Sequence, residues 1–275
     1  MKIDAHQHFW KYNATTHDWI GDDMASIRRD FMPADLAPVL KENGIDGCIA
    51  VQADQTEAET EFLLELADAH SFIKGVVGWI DLQAPEISGK LQQWCAHPKF
   101  KGVRHILQGE QQRDLMLKPS FLHGIGQLAA LGITYDILIF PDQLQFIPEF
   151  VSRFPDVNFV IDHIAKPDIK RGQIGEWKRE LELVALYDNV SCKISGMVTE
   201  ADLKLWKPAD FKPYLDVVVD TFGMNRIMYG SDWPVCLAAG NYTRVLDVVQ
   251  SYFSTFSIHE QDLFFGQNAI RFYGL

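Results

Sequence analysis

Short apolar runs alternate with longer amphipathic runs along the whole chain, and this alternation restricts the fold more than any other feature. Most of the short runs are almost continuously apolar and rich in Val and Ile, which is typical of parallel strands covered on both faces. We predict eight strands, at residues 3–8, 45–52, 75–80, 102–107, 133–139, 158–163, 190–195 and 226–231.

Helical patterns fill the intervals between these strands. The predicted helices span residues 33–43, 57–70, 85–95, 119–131, 141–154, 175–187, 210–222, 242–253 and 260–272. The strand ends recur about every 32 residues, which is the length of one βα unit. The first strand is followed by Phe9 and Trp10 rather than by the glycine-rich loop of many open sheets. The sequence therefore predicts the α/β class, as a single (β/α)₈ TIM barrel over residues 1–275.

The charge balance argues against two kinds of partner. The chain has 25 Lys and Arg against 37 Asp and Glu, a net charge of −12. Nucleic acids and anionic membrane surfaces select clustered Lys and Arg, so we expect neither as a partner.

No apolar run reaches the length of a membrane span. The four cysteines lack CxxC spacing, as is usual for reduced thiols. We expect a cytoplasmic protein without a signal peptide, acting as a monomer or homodimer on a small molecule.

The carboxyl ends of the first and last strands carry the strongest candidate site residues. Strand alternation places His6 and His8 on one face together with Asp4, and the apolar Ile3 and Ala5 on the other, which should meet the helices. Two imidazoles directed into the mouth of a barrel can hold a metal ion or polarise a substrate. Asp232 ends the eighth strand, next to the first when the barrel closes, and can ligate the same ion or take a proton from water.

Two further strands supply candidate acid, base and donor groups. His163 ends the sixth strand, and the preceding Asp162 can orient an imidazole through a hydrogen bond. Lys193 lies in the seventh strand among alternating polar residues, so its side chain should face inward. An inward lysine is costly without an anionic partner, and both a contact to a substrate oxyanion and a structural ion pair remain open.

The remaining candidates are assigned to substrate recognition. Alternation in the fourth strand allows only one of Arg104 and His105 to face the pocket, and we favour Arg104 as a donor to a carbonyl or hydroxyl group. His105 stays a candidate for substrate binding. The other candidates for the pocket wall are Asp136, Trp19 and Trp79.

Five motifs, in the order of the strands, carry a resemblance to a known family. IDAHQHFW, KGVRH, IDHIAKP, CKISG and YGSDWPV together resemble the amidohydrolase superfamily, and within it the branch of sugar-acid lactonases. The resemblance implies that His6, His8, His163 and Asp232 form the active-site set. It also implies one divalent ion, usually zinc, held by His6, His8 and Asp232, or a reaction without metal. No lysine ends the fourth strand and no histidine ends the fifth, so we do not expect a binuclear site.

The implied reaction is hydrolysis of a sugar-acid lactone of the L-fuconolactone or L-rhamnonolactone type. Asp232 is expected to activate water, with Arg104, Lys193 or His163 stabilising the oxyanion. We expect the loops at 10–32 and 108–118 to select the lactone. Two alternatives stay open: decarboxylation of an aromatic or unsaturated acid on the same barrel, and sugar-acid binding without catalysis.

Overall fold

Eight parallel strands form one sheet whose order in space follows their order in the chain. The computed structural model describes all 275 residues. The strands are numbered β1 Ile3–Gln7, β2 Gly47–Val51, β3 Ile73–Gly78, β4 Phe100–His105, β5 Thr134–Ile137, β6 Phe159–Ile161, β7 Val190–Ile194 and β8 Ile227–Tyr229. Six of them are shorter than predicted, whereas β3 and β4 have the predicted length and begin two residues earlier.

The sheet closes on itself between the residues that follow β1 and β8. Gln7 pairs with Trp233 in a parallel bridge. The backbone N–H of His8 donates to the carbonyl of Trp233 over 2.7 Å, and that of Asp232 donates to the carbonyl of His6 over 2.8 Å. This closure confirms the predicted (β/α)₈ barrel. It also brings the ends of the first and last strands together. The organisation of residues 1–275 as a single domain stays a prediction.

The helices cover the outside of the barrel. They are α1 Pro33–Glu42, α2 Glu57–Ala69, α3 Ile87–Cys95, α4 Pro119–Leu131, α5 Ile147–Ser152, α6 Gly175–Val184, α7 Pro208–Phe222, α8 Tyr242–Phe253, α9 Ile258–Asp262 and α10 Asn268–Tyr273. None of them combines the length and the apolar character that a membrane span requires.

Two of the predicted helices are interrupted. The helix predicted at 141–154 begins as a 3₁₀ segment, Pro141–Phe146, and becomes α-helical only at α5. Pro148 has no N–H to donate, so one helical hydrogen bond is missing at the point where the two segments meet. The helix predicted at 260–272 contains a π-helical turn, Leu263–Gln267, between α9 and α10. Gly266 lies in this turn against the backbone of Met1, where a Cβ would be 2.0 Å from the Met1 carbonyl oxygen.

The inner face of β1 differs from the prediction. Ile3 and Ala5 pack inside the barrel with apolar residues of other strands and with Ala269 and Tyr273 of α10, which covers the amino-terminal end of the barrel. Asp4 lies on the opposite face. The expectation that Ile3 and Ala5 face outward to the helices around the barrel is therefore wrong, because the helix they contact is α10 at the end of the barrel. The pairing of β1 with β2 shifts register between Asp4 and Gln7, and this irregularity turns His6 inward although Ala5 is also inside.

Candidate active site

The two histidines of the first motif form the centre of the site. The Nε2 atoms of His6 and His8 are 3.2 Å apart, and both residues are buried. His8 Nδ1 lies 2.8 Å from the carbonyl oxygen of Val51, so it carries the proton and donates. The Nε2 atom of His8 therefore faces His6.

A second hydrogen bond fixes the other imidazole. His6 Nδ1 lies 3.2 Å from Oδ1 of Asp162, a carboxylate that can only accept. Burial lowers the pKa of His6 well below its ordinary value, although Asp162 opposes this shift. The ring is therefore neutral, with the proton on Nδ1 and a lone pair on Nε2. Two imidazole nitrogens that face each other at this distance can bind a shared cation.

Asp232 adds a carboxylate to this pair. Its Oδ1 atom is 3.3 Å from His8 Nε2 and 4.0 Å from His6 Nε2. The residue has a left-handed backbone with φ of 58°, and its side chain is 5% exposed. Nitrogen and oxygen ligands in this number fit a divalent ion, zinc among them. The chain's own atoms thus fit one metal site made of His6, His8 and Asp232.

Asp162, His6 and His163 form a second cluster of ligand type. In this cluster both oxygens of Asp162 already contact cations, Oδ2 at 3.0 Å from Arg104 and Oδ1 at 2.9 Å from Lys193. Burial opposes ionisation of Asp162, but Lys193, His6 and Arg104 together lower its pKa well below the ordinary value. Asp162 is therefore a charged anchor for its neighbours, and the first cluster is the better metal site.

His163 lies in a strained turn directly after β6. Four consecutive residues other than glycine, His163 to Lys166, have positive φ angles of 54°, 49°, 58° and 51°. Left-handed conformations cost about 1–2 kcal/mol for each such residue and persist where the surroundings enforce them. Burial lowers the pKa of His163 well below its ordinary value, and its Nε2 atom lies 4.0 Å from Oδ1 of Asp232. The surroundings that enforce this turn thus hold a neutral imidazole beside the candidate metal site.

Arg104 extends from β4 into the same space. Its NH1 group donates to Asp162 and lies 3.2 Å from Nε2 of His6. Its NH2 group donates to the backbone carbonyl of Gln52, and its Nε–H has no partner within the protein. The guanidinium is therefore held beside the candidate metal site, and its Nε–H is free to donate a hydrogen bond.

Lys193 and Asp136 lie deeper in the barrel than the other predicted site residues. Both side chains are completely buried, and Lys193 Nζ is 2.5 Å from Asp136 Oδ2. Burial raises the pKa of Asp136 to about 6, against the opposing effect of Lys193. The structure thus places this pair beneath the histidines and out of contact with solvent.

The other three predicted residues surround the mouth of the barrel. His105 turns away from Arg104, accepts a hydrogen bond from Trp79 Nε1 over 3.2 Å and lies 2.8 Å from Glu110. The pair of His105 and Glu110 is separate from the site formed by His6, His8 and Asp232. Trp19 is 43% exposed and packs edge-on against Trp10, whose ring lies 6.3 Å from that of His8.

A cavity beside this aromatic group offers polar contacts for a ligand. Its volume is about 230 Å³, and its lining includes Trp10, His17, Asp54 and Glu59. The ring of Trp10 and the carboxylate of Asp54 can contact a small polar molecule there, whereas both oxygens of Glu59 already accept backbone N–H groups. None of His6, His8 and Asp232 lines this cavity.

Several residues at the site were not predicted. The Oγ atom of Ser195 lies 2.9 Å from Nδ1 of His163. Lys166 and Glu200 form an ion pair of 3.1 Å, and burial raises the pKa of Glu200, with Asp232 contributing to the rise. The motifs IDHIAKP and CKISG contain Lys166 and Ser195, so their positions were available. Glu200 follows β7 in a loop and has no sequence signal of its own.

The fold and these contacts define a class of protein. The molecule is a (β/α)₈ barrel with a candidate divalent-metal site where the carboxyl ends of its strands converge. The sequence model of the amidohydrolase family matches residues 3–275. The chain belongs to the amidohydrolase family, which confirms the resemblance found in its motifs.

Individual relatives cover most or all of the chain. An L-fucono-1,5-lactonase of Burkholderia multivorans (strain ATCC 17616 / 249) is 38% identical over 100% of this chain and 96% of its own length. An L-fucono-1,5-lactonase of Burkholderia ambifaria is 36% identical over 88% of this chain and 83% of its own length. A crystal structure of an amidohydrolase from Burkholderia multivorans with bound zinc is 38% identical and has a TM-score of 0.97, covering 100% of this chain and 99% of that one.

Proposed function

We propose that this protein is a lactone hydrolase that opens a sugar-acid lactone of the L-fucono-1,5-lactone type. The observation that carries the proposal is the convergence of Asp232 with the Nε2 atoms of His6 and His8, which places a base beside a cation site. The names of the two Burkholderia relatives support the lactone as substrate. We include in the proposal a cytoplasmic location and a monomeric or homodimeric state.

Zinc is the metal we propose for this site. His6 and His8 would hold it through Nε2, and Asp232 through Oδ1. When bound, zinc supplies Lewis-acid polarisation of the lactone carbonyl. The zinc in the related Burkholderia structure supports this choice.

Asp232 is the proposed general base. Its carboxylate takes a proton from water as the water oxygen bonds to the lactone carbonyl carbon. The bond between this carbon and the ring oxygen then breaks, and Asp232 returns the proton to the ring oxygen. The product is the open hydroxy acid, which releases a proton at neutral pH. One residue thus serves both proton transfers.

Arg104 and His163 are the proposed donors to the oxyanion. Arg104 has an unpartnered Nε–H, and Nε2 of the neutral His163 ring points toward Asp232. If Ser195 donates to Nδ1 of His163, Nε2 carries the proton and can donate. Removal of one oxyanion donor lowers kcat by about 100-fold to 1000-fold in a serine protease, where the effect has been tested by mutation. For substrate binding we propose Trp19 and Trp10, because the ring of Trp10 lies 6.3 Å from that of His8.

The test is a screen of aldonolactones of both ring sizes with a pH indicator, run before chelation, after chelation and after zinc is restored. We expect acid release from a 1,5-lactone, loss of this activity with chelator and recovery with zinc. Activity that survives chelation would support the proposed hydrolase but contradict the proposed role of a metal ion. Carbon dioxide release from a carboxylated aromatic acid, without lactone hydrolysis, would establish the decarboxylase instead. Lactone binding without turnover would establish a binding protein.

A further inference from the structure

A group of buried charges lies directly beneath the proposed metal site. Lys193 Nζ is 2.5 Å from Oδ2 of Asp136, 2.9 Å from Oδ1 of Asp162 and 3.2 Å from Nδ1 of His6. All four side chains are completely buried. Two carboxylate oxygens thus contact one ammonium group, and carboxylate oxygens bind divalent ions in proteins. His6 Nδ1 carries a proton and donates to Asp162, so it is a neighbour of this group and not a ligand.

The charges of this group balance only when the lysine is counted. Asp136 and Asp162 supply two negative charges, and Lys193 and Arg104 supply two positive ones. A buried carboxylate without a cation is strongly disfavoured. Without Lys193, Asp162 would keep Arg104, but Asp136 would keep only a hydroxyl partner.

That hydroxyl belongs to Tyr273 of α10, the helix that covers the amino-terminal end of the barrel. Its Oη atom lies 2.9 Å from Oδ2 and 3.1 Å from Oδ1 of Asp136. A neutral hydroxyl orients the carboxylate toward Lys193 but does not neutralise its charge. Asp136 is therefore fixed in position as a ligand for a cation.

We propose that this group is a second cation position, and that the chain fills it permanently with the ammonium of Lys193. The lysine links Asp136 to Asp162 as a second metal ion would, and it limits the protein to one divalent ion. Lys193 is thus a positioning residue that acts on the metal site through Asp162 and His6. This inference rests on the proposed function, because the first cation position is the proposed zinc site.

The residues of β4, β5 and β7 fit this assignment. The chain lacks a lysine at the end of β4 and a histidine at the end of β5, and Asp136 lies in β5 instead. The cation therefore comes from β7, on the far side of β6. Its charge cannot be removed by chelation, so the orientation of His6 does not depend on a second ion.

The experiment compares three proteins: wild type, Lys193→Ala, and the matched double variant Lys193→Ala with Asp136→Ala. Each is produced and refolded at increasing zinc concentrations, desalted and analysed for zinc per chain by mass spectrometry. Lys193→Ala opens the space of four side-chain atoms for an ion and water. The double variant opens this space and that of the Asp136 carboxylate, and so removes the ligand that depends on the lysine.

We expect Lys193→Ala to bind one more zinc ion per chain than wild type, and its folded yield and Tm to rise with zinc more than those of wild type. The double variant should match the wild-type zinc content. An unchanged zinc content in folded Lys193→Ala, or its failure to fold at any zinc concentration, would overturn the proposal. An extra ion in the double variant would also overturn it. Wild type without zinc would refute the zinc site, whereas the difference between the proteins still tests the second position.

Discussion

The Nδ1 atom of His163 lies 2.9 Å from the Oγ atom of Ser195. This contact holds the imidazole so that its opposite nitrogen points toward Asp232, 4.0 Å away. Residues that orient a catalytic or metal-binding imidazole typically change activity or metal affinity by about 10-fold to 100-fold when removed. The hydroxyl thus sets the direction in which His163 can act.

Ser195→Ala should therefore lower kcat by about 10-fold to 100-fold with little change in KM. The measurement is steady-state lactone hydrolysis with a pH indicator. Ser191→Ala, the same substitution earlier in β7, is the control and should keep wild-type kcat. Equal activity of the two variants would show that the contact between Ser195 and His163 has no catalytic role.

Gly196 permits the close approach of His163 to β7. A Cβ at Gly196 would lie 2.6 Å from His163 Nδ1, and the residue has a φ of 62°. Gly172 has a similar φ of 67° but nothing within 4 Å of the added Cβ. Both alanine variants bear the cost of a left-handed conformation, about 1–2 kcal/mol, whereas only Gly196→Ala displaces the imidazole.

Gly196→Ala should consequently lose both stability and kcat, and Gly172→Ala should lose stability alone. Urea unfolding and lactone turnover separate the two effects. If the two variants keep the same kcat, the position of His163 is not what limits turnover.

Asp162 should control the affinity of the site for zinc. It accepts from His6 Nδ1 and pairs with Arg104, so Asp162→Asn weakens the hydrogen bond that fixes the His6 tautomer. We expect zinc affinity to fall by about 10-fold to 100-fold, measured by competition with a chromogenic chelator. Asp168→Asn, on the loop after the strained turn, should leave affinity unchanged. Unaltered affinity of Asp162→Asn would exclude its role in orienting His6.

Asp4 should make stability depend on pH. It accepts hydrogen bonds from the Ser231 N–H and the Tyr242 hydroxyl, yet burial raises its pKa to about 6. Because the unfolded value is about 3.9, the folded state binds more protons in the interval between the two values. The stability from protonated Asp4 is complete below about pH 4 and is lost as pH rises through 6.

The comparison is between wild type and Asp4→Asn. Both proteins are unfolded by urea in the presence of a chelator, so that neither holds a metal ion. From pH 4 to 7 the free energy of unfolding of wild type should fall relative to the variant, by up to about 3 kcal/mol. A difference that stays constant or rises with pH would contradict the assigned pKa.

Much of the barrel could be predicted because parallel strands buried on both faces leave a strong apolar signal. The convergence of His6, His8 and Asp232 followed from the closure of such a barrel, where the carboxyl ends of all strands share one rim. The direction of Ile3 and Ala5 could not be predicted, because the register shift in β1 depends on its pairing with β2. The contacts of Ser195 and Glu200 depend on turns whose conformations the sequence pattern does not specify.

The most direct test of the account is the turnover of L-fucono-1,5-lactone by Asp232→Asn, with zinc content measured on the same sample. The control is Asp142→Asn, which alters an exposed aspartate paired with Arg113. We predict that folded Asp232→Asn loses at least about 100-fold in kcat, whereas Asp142→Asn retains wild-type turnover. Turnover of Asp232→Asn close to that of wild type would contradict the central claim that this carboxylate is the base at the metal site.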